Sequence, residues 1–130
     1  MGLLKESVIS LLSSTAIATH ATLNAETTIY TVPTSKTCIP CFAFLRIAGD
    51  VGNVCTITIG QNGAESDWIG TTTLSNLDAA GDVVCLWPVP SATPEKMKEY
   101  AAAVVLKYKV TTAGNAVAGT LYLFGNLDDA

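Results

Sequence analysis

Short β-prone segments, separated by turn residues, fill this chain from Thr27 almost to its end. In the segment 54–59, Cys55, Ile57 and Ile59 alternate with Val54 and threonines, which is the period-two pattern of a half-buried strand. The dipeptide Asn62-Gly63 follows and predicts a tight hairpin. The segments of this kind are 27–32, 37–48, 54–59, 67–74, 83–87, 104–111 and 117–124.

These segments predict an all-β fold. No convincing helical pattern lies between them, so a parallel α/β sheet is disfavoured. Their number and spacing predict a single β-sandwich or jelly-roll-like barrel of about seven or eight antiparallel strands, and we favour an eight-stranded jelly roll. Pro40 lies inside the segment 37–48 and predicts a sheet edge or a bulge there, because proline cannot donate a ladder hydrogen bond. The last two segments flank Gly114-Asn115 and predict a closing hairpin.

The first 26 residues show a different pattern. Apolar residues between positions 3 and 12 approximate a helical stripe, and the stretch 13–28 is rich in Ser, Thr and Ala without a clear period. We therefore expect two units, an N-terminal helix or arm over 1–26 and a β-sandwich domain over 27–130. In the alternative interpretation, both N-terminal pieces pack on their own domain. A signal peptide is disfavoured because Lys5 is the only cation before the apolar run and Glu6 cancels its charge.

Charge is sparse in this chain. Only 14% of the residues are charged and 49% are hydrophobic, against a usual charged share of about 25%. So few charges leave part of the surface to be covered by a partner. The net charge of −4, with Arg46 as the single arginine, disfavours nucleic acid as that partner, since phosphate neutralisation supplies most of such affinity. No apolar run approaches the roughly 18 residues of a membrane span, so we expect no membrane partner and synthesis in a cytosol-like compartment.

The four cysteines admit two interpretations. Cys38 and Cys41 form a C-x-x-C motif, which zinc sites and redox dithiols both use. Cys55 and Cys85 are too far apart to form the second close pair of a zinc ribbon, and His20 has no ligand spacing to any cysteine. We therefore favour buried, apolar cysteines, with a disulfide or a metal site as the alternative.

The sequence contains no convincing catalytic constellation. His20 is the only histidine, so a Ser–His or Cys–His pair is not expected. Glu65 and Asp67 lie too close together to flank a glycosidic bond, and we interpret them as solvated loop acids. The segment 61–67 lacks the ligand spacing of a calcium loop. We expect no catalytic, cofactor-binding or metal-binding residues.

The two tryptophans point instead to a contact with another molecule. Trp68 and Trp87 could stack against a sugar, but tryptophans more often anchor a core or a protein interface. Combined with the apolar N-terminal stripe, they predict an interface. Its expected residues are Leu3, Leu4, Val8, Leu11, Leu12, Trp68 and Trp87.

The sequence of 27–37, TTIYTVPTSKT, carries a resemblance. It resembles the T-x-Y-T-V-P-x-G-K opening of small β-sandwich proteins of tailed-phage virions, especially capsid decoration (cement) and fibre-associated proteins. The stretches 55–60, 67–72 and 118–124 are similar to the same kind of domain, so the likeness extends from Thr27 to Phe124. Ser35 stands in this chain where that opening commonly has glycine.

The resemblance implies a capsid decoration (cement) protein of a bacteriophage. Such a protein binds the outer capsid surface, often as a homotrimer, and clamps neighbouring subunits of the major capsid protein. Its location would be the virion surface after assembly in the host cytoplasm, and its N-terminal segment would be a docking or exchange arm. A tail- or fibre-associated structural protein and a carbohydrate-binding β-sandwich module stay as alternatives.

Overall fold

The computed structural model describes residues 9–18, 23–88 and 97–130, and these residues form eight β-strands. The strands are β1 (Ser10–Ala18), β2 (Glu26–Thr31), β3 (Lys36–Ile47), β4 (Thr56–Gln61), β5 (Ala64–Thr73), β6 (Val83–Leu86), β7 (Val105–Thr112) and β8 (Ala118–Asp129). The seven segments predicted from the sequence correspond to β2 to β8. The described ranges contain no helix.

The strands form two four-stranded antiparallel sheets. Sheet 1 has the order β1-β8-β3-β6 and sheet 2 has the order β2-β7-β4-β5. Only the β4–β5 hairpin joins neighbours within one sheet; all other consecutive strands lie in different sheets. The predicted all-β sandwich is therefore confirmed, with eight strands in the described part of the chain.

Alternating side chains place the core between the sheets. On β7, Leu106, Tyr108 and Val110 are at most 1% exposed, whereas Lys107 and Lys109 point to the outside of sheet 2, as the alternation predicts. The facing positions of sheet 1 are likewise apolar. The hydrophobic effect on these inward side chains holds the two sheets together.

The predicted N-terminal helical stripe is wrong for residues 10–12, which begin β1. Two of the inward positions of β1 are Ser13 and Thr15, so its apolar alternation is weak in the sequence. Thr15 Oγ1 donates to the Ile29 carbonyl oxygen of sheet 2 at 3.3 Å. Residues 1–8 and 19–22 lie outside the described residues, so the division into an arm over 1–26 and a domain over 27–130 stays a prediction.

The predicted closing hairpin is also wrong. β7 pairs with β2 and β4 in sheet 2, whereas β8 pairs with β1 and β3 in sheet 1. The segment that connects β7 to β8 is held against the loop between β3 and β4, since the Asn115 N–H donates to the Val51 carbonyl oxygen at 2.9 Å. A Cβ on Gly114 would lie 2.6 Å from Cys55 Cβ. These tertiary contacts turn the chain from one sheet to the other.

The bulge predicted at Pro40 is present. The β3–β8 register shifts between Pro40 and Phe42, so Cys41 is the extra residue on β3. β6 pairs only with the later part of β3, which leaves Pro40 away from that ladder. The proline therefore costs sheet 1 no ladder hydrogen bond with β6.

Ser35 occupies the position where the resembling motif carries glycine. Its φ is 63°, which is the left-handed region that glycine adopts without strain. This turn precedes β3 and closes with a hydrogen bond from the Lys36 N–H to the Pro33 carbonyl oxygen at 3.2 Å. The structure therefore explains why glycine suits this position.

Candidate protein-contact face on sheet 1

A row of apolar side chains crosses the outer surface of sheet 1. Leu11 on β1 pairs with Phe124 on β8, which in turn pairs with Phe42 on β3. The rings of Phe42 and Phe124 are stacked with centroids 5.0 Å apart. Trp87 directly follows β6, and its ring centroid lies 5.3 Å from that of Phe42. We call these four side chains the first row, and it spans the full width of the sheet.

Further outward side chains extend this surface. Phe44 pairs with Tyr122 and with Cys85, and its ring lies edge-on to that of Phe124 at 5.4 Å. Beyond them, the Arg46 guanidinium lies 5.8 Å from the centroid of the Tyr122 ring. We call the following outward side chains the aromatic face: Leu11, Phe42, Phe44, Val83, Trp87, Tyr122 and Phe124.

The aromatic face is open to solvent in the single chain. Trp87 is 57% exposed, Val83 55%, Leu11 51% and Phe44 36%. Large apolar side chains that lie next to one another on a surface are typical of a protein–protein contact, whereas single exposed ones are not. The ring contacts among them order the surface before any partner binds.

The outer surface of sheet 2 has the opposite character. Lys107 pairs with Glu26 at 3.2 Å and Lys109 with Glu65 at 4.0 Å. A shallow groove of about 190 Å³ on this side is lined by Thr58, Glu65, Ser66, Thr71, Lys109 and Thr111. Because its lysines are paired with glutamates and its groove is lined by polar side chains, this side is suited to water. The asymmetry between the two sheets makes the aromatic face the candidate functional site.

The structure distributes the predicted interface residues over several places. Leu11 and Trp87 belong to the aromatic face, and Leu12 packs against the core beside the β1 bulge. The expectation that Trp68 lies at an interface is corrected by the structure, because Trp68 is 3% exposed and lies in the core. It can therefore act neither as a surface anchor nor as a sugar-stacking platform. The predicted residues Leu3, Leu4 and Val8 lie outside the described residues.

Sequence reasoning missed the phenylalanines of the aromatic face. In Phe42-Ala43-Phe44-Leu45, both sets of alternating positions are apolar. Such a pattern signals a strand that has apolar neighbours on both sides, and here only one side is the core of the sandwich. The continuous apolar run was the available signal for an outer contact.

The cysteines show no redox or metal arrangement. None of the four forms a disulfide, and Cys38 and Cys55 are buried. Burial raises the pKa of Cys38 to about 12, and its neighbour Cys41 adds to the shift, so the thiolate needed for redox chemistry does not form at neutral pH. Among the described residues, no three His, Cys, Asp or Glu side chains come together as a metal site. His20 lies outside the described residues.

Asp67 joins the β4–β5 hairpin to the segment before β7. Its carboxylate accepts hydrogen bonds from Tyr100 Oη at 2.7 Å, Lys98 Nζ at 2.6 Å, Gln61 Nε2 at 2.8 Å and the Gln61 N–H at 3.1 Å. Asp67 and Glu65 lie on β5, which corrects their interpretation as loop acids. These hydrogen bonds tie the Asp67 carboxylate to Gln61 on β4 and to Lys98 and Tyr100 before β7, so Asp67 forms a structural link between these segments.

This link predicts a pH-dependent stability. Burial alone would raise the pKa of Asp67, but the hydrogen bonds from Lys98, Tyr100 and the Gln61 N–H lower it below its ordinary value. A lowered folded-state pKa stabilises the protein above the unfolded pKa of about 3.9, and this contribution is lost as the pH falls through the folded value. The Asp67→Asn variant should be less stable than the wild type at pH 7, and the difference should shrink below about pH 4.

Urea unfolding between pH 7 and pH 2 measures this difference. Glu99→Gln is the matched control, since Glu99 is an exposed carboxylate one residue after Lys98. Its free energy of unfolding should stay close to that of the wild type at neutral pH. A constant gap between the wild type and Asp67→Asn down to pH 2 would contradict the assignment.

No described helix has the length and apolar character required to cross a membrane.

No protein-family model matches the chain, and no curated protein matches it. Two solved structures do share its fold. A chain in the acidic stable capsid of Helicobacter pylori bacteriophage KHP30 is 15% identical with a TM-score of 0.60, and the match covers 95% of this chain and 94% of that chain. A chain in the capsid asymmetric unit of cyanophage Pam1 is 11% identical with a TM-score of 0.54, covering 92% of this chain and 84% of that chain. The chain thus has the same fold as chains found in two phage capsids.

Proposed function

We propose that this chain is a non-catalytic structural protein of a phage virion, a capsid decoration (cement) protein. It binds the outer capsid surface and stabilises neighbouring capsid subunits. The observation that carries this proposal is the fold shared with chains of two phage capsids over nearly the whole of both chains. Both solved structures are capsids, which favours a capsid role over a tail or fibre role.

The strand order supports the same conclusion. We infer a jelly roll from the order 1-8-3-6 over 2-7-4-5, in which the chain passes repeatedly between the sheets. Jelly rolls are common in viral capsid proteins, although a fold alone does not define a function. The KHP30 chain is covered over 94% of its length, so both chains are single sandwiches of similar size. A single sandwich suits a component that is added to an existing shell.

We assign the aromatic face as the surface that contacts the capsid. Burying its exposed side chains against a complementary apolar surface would supply the driving force for binding. Trp87 is the best anchor, because it is the most exposed ring of the face and tryptophan is enriched among residues that dominate interface energetics. The partners are therefore the major capsid protein and further copies of this chain. A homotrimer with closed symmetry fits this role.

Rebinding to capsids that lack the protein tests the proposal. Wild-type protein should be oligomeric in solution and should saturate the particles, with electron microscopy showing its density on the outer surface. Trp87→Ala should bind at least about tenfold more weakly, as expected for loss of an interface anchor. Thr71→Ala is the matched control, because Thr71 is an exposed residue of sheet 2, and its binding should be unchanged.

Two results would contradict the proposal. A wild-type protein that is monomeric and does not bind the particles would exclude a decoration role. Density on the tail or fibres would assign the chain to the alternative virion role. Equal loss of binding in Trp87→Ala and Thr71→Ala would retain the function but remove the aromatic face as the contact.

A further inference from the structure

Arg46, the single arginine of the chain, adjoins the aromatic face. We propose that its guanidinium binds a carboxylate of the major capsid protein, an aspartate or glutamate side chain that the capsid presents among apolar residues. The inference rests on the proposed function, because it specifies the partner chemistry of the surface that we assign to capsid contact.

Arg46 differs from the lysines in having no acidic partner among the described residues. Each lysine that the structure describes forms an ion pair within the chain: Lys36 with Asp129, Lys98 with Asp67, Lys107 with Glu26 and Lys109 with Glu65. Within the ranges 9–18, 23–88 and 97–130, no such pair involves Arg46. Its positive charge is therefore available to a group from another molecule.

The position of Arg46 makes this charge part of the contact surface. Arg46 is exposed and follows Phe44 in the outward positions of β3. It pairs with Val83 of β6, which is 55% exposed, and its guanidinium lies beside the Tyr122 ring. An incoming carboxylate would thus be flanked by apolar groups of the aromatic face. A shallow pocket of about 140 Å³ next to it leaves room for such a side chain, and it is lined by Arg46, Ile47, Ala48, Ala118, Gly119 and Thr120.

Burial of the aromatic face would make an unpaired charge at this place unfavourable. Arginine cannot be deprotonated in proteins, so Arg46 keeps its charge when the contact excludes water. A charge that is removed from water without a partner opposes binding. A carboxylate compensates this charge and accepts two parallel N–H hydrogen bonds from the guanidinium, which is why arginine is favoured in interface ion pairs. The capsid surface opposite Arg46 should therefore carry an acidic side chain.

Rebinding to capsids that lack the protein measures the contribution of Arg46. Arg46→Gln should bind about thirtyfold more weakly than the wild type, or worse, because it leaves the partner carboxylate buried without its cation. Arg46→Lys keeps the charge but loses the forked geometry, so its affinity should lie between the two. Lys107→Gln is the matched control, since it removes one positive charge from the outer surface of sheet 2, and its binding should equal that of the wild type.

Two further measurements separate binding from folding and identify the source of the carboxylate. Urea unfolding of Arg46→Gln should match that of the wild type, because Arg46 is exposed and has no ion pair among the described residues. A carbodiimide joins an amine to a carboxylate in direct contact. Arg46→Lys bound to the capsids should therefore give an amide cross-link from position 46 to an Asp or Glu of the major capsid protein, identified by mass spectrometry. The wild type should give none at this position.

Four results would overturn the inference. Equal affinity of the wild type and Arg46→Gln would remove Arg46 from the contact and leave the proposed function intact. A loss of stability in Arg46→Gln as large as its loss of binding would assign Arg46 to its own fold. A cross-link from position 46 to another copy of this chain would place the carboxylate there and not on the capsid protein. Wild-type protein that does not bind the particles would overturn the proposed function and this inference with it.

Discussion

Trp68→Ala is expected to lower the free energy of unfolding by about 3–5 kcal/mol, the usual cost of truncating a buried aromatic side chain. Trp68 is 3% exposed, and its removal would leave a cavity in the core. Trp87→Ala should cost only about 1 kcal/mol, because that ring is exposed and loses mainly its contact with Phe42. Urea unfolding followed by far-ultraviolet circular dichroism measures both values without relying on tryptophan emission.

A second substitution at the same position serves as the control. Trp68 Nε1 has no hydrogen-bond partner among the described residues, so Trp68→Phe keeps most of the apolar volume and removes an unsatisfied donor. We expect this variant to lose less than about 1.5 kcal/mol. If Trp68→Ala and Trp87→Ala were equally destabilising, the assignment of one tryptophan to the core and the other to the surface would be wrong.

Gly60→Ala is expected to lower the free energy of unfolding by about 3 kcal/mol, at the upper end for overpacking. A Cβ at Gly60 would lie 2.5 Å from the Ala64 carbonyl oxygen, 2.5 Å from Asp67 Oδ1 and 2.8 Å from the Asp67 nitrogen. Two of these atoms belong to the backbone of β5. β5 is held in sheet 2 by its pairing with β4, so moving it away from Gly60 would disturb that ladder.

Gly63→Ala provides the comparison for this prediction. A Cβ at Gly63 would meet no atom within 4 Å, but its φ is +88°. The cost should therefore be that of the left-handed backbone alone, about 1 kcal/mol. Thermal or urea unfolding compares the two variants. A smaller loss for Gly60→Ala than for Gly63→Ala would show that β5 does not constrain Gly60 as the structure indicates.

The aromatic face shows how far a sequence pattern leads towards a functional site. The sequence predicted that part of a weakly charged surface would be covered, and it named Leu11 and Trp87 among the contact residues. It could not assign Phe42, Phe44 and Phe124 to the outside, because both sides of these strands carry apolar residues. Only the packing of sheet 1 against sheet 2 decides which side of these strands faces the core.

The sequence alone determined the all-β class and the positions of seven strands, because alternation and turn residues are local properties of the chain. It also predicted a sheet edge or a bulge at Pro40, since proline lacks the backbone donor that a regular ladder requires, and the structure has the bulge. The tertiary structure decided which strands pair, that β1 exists, and that Trp68 is buried while Trp87 is exposed. These features depend on contacts between residues far apart in the chain, such as Asn115 with Val51, and no local pattern encodes them.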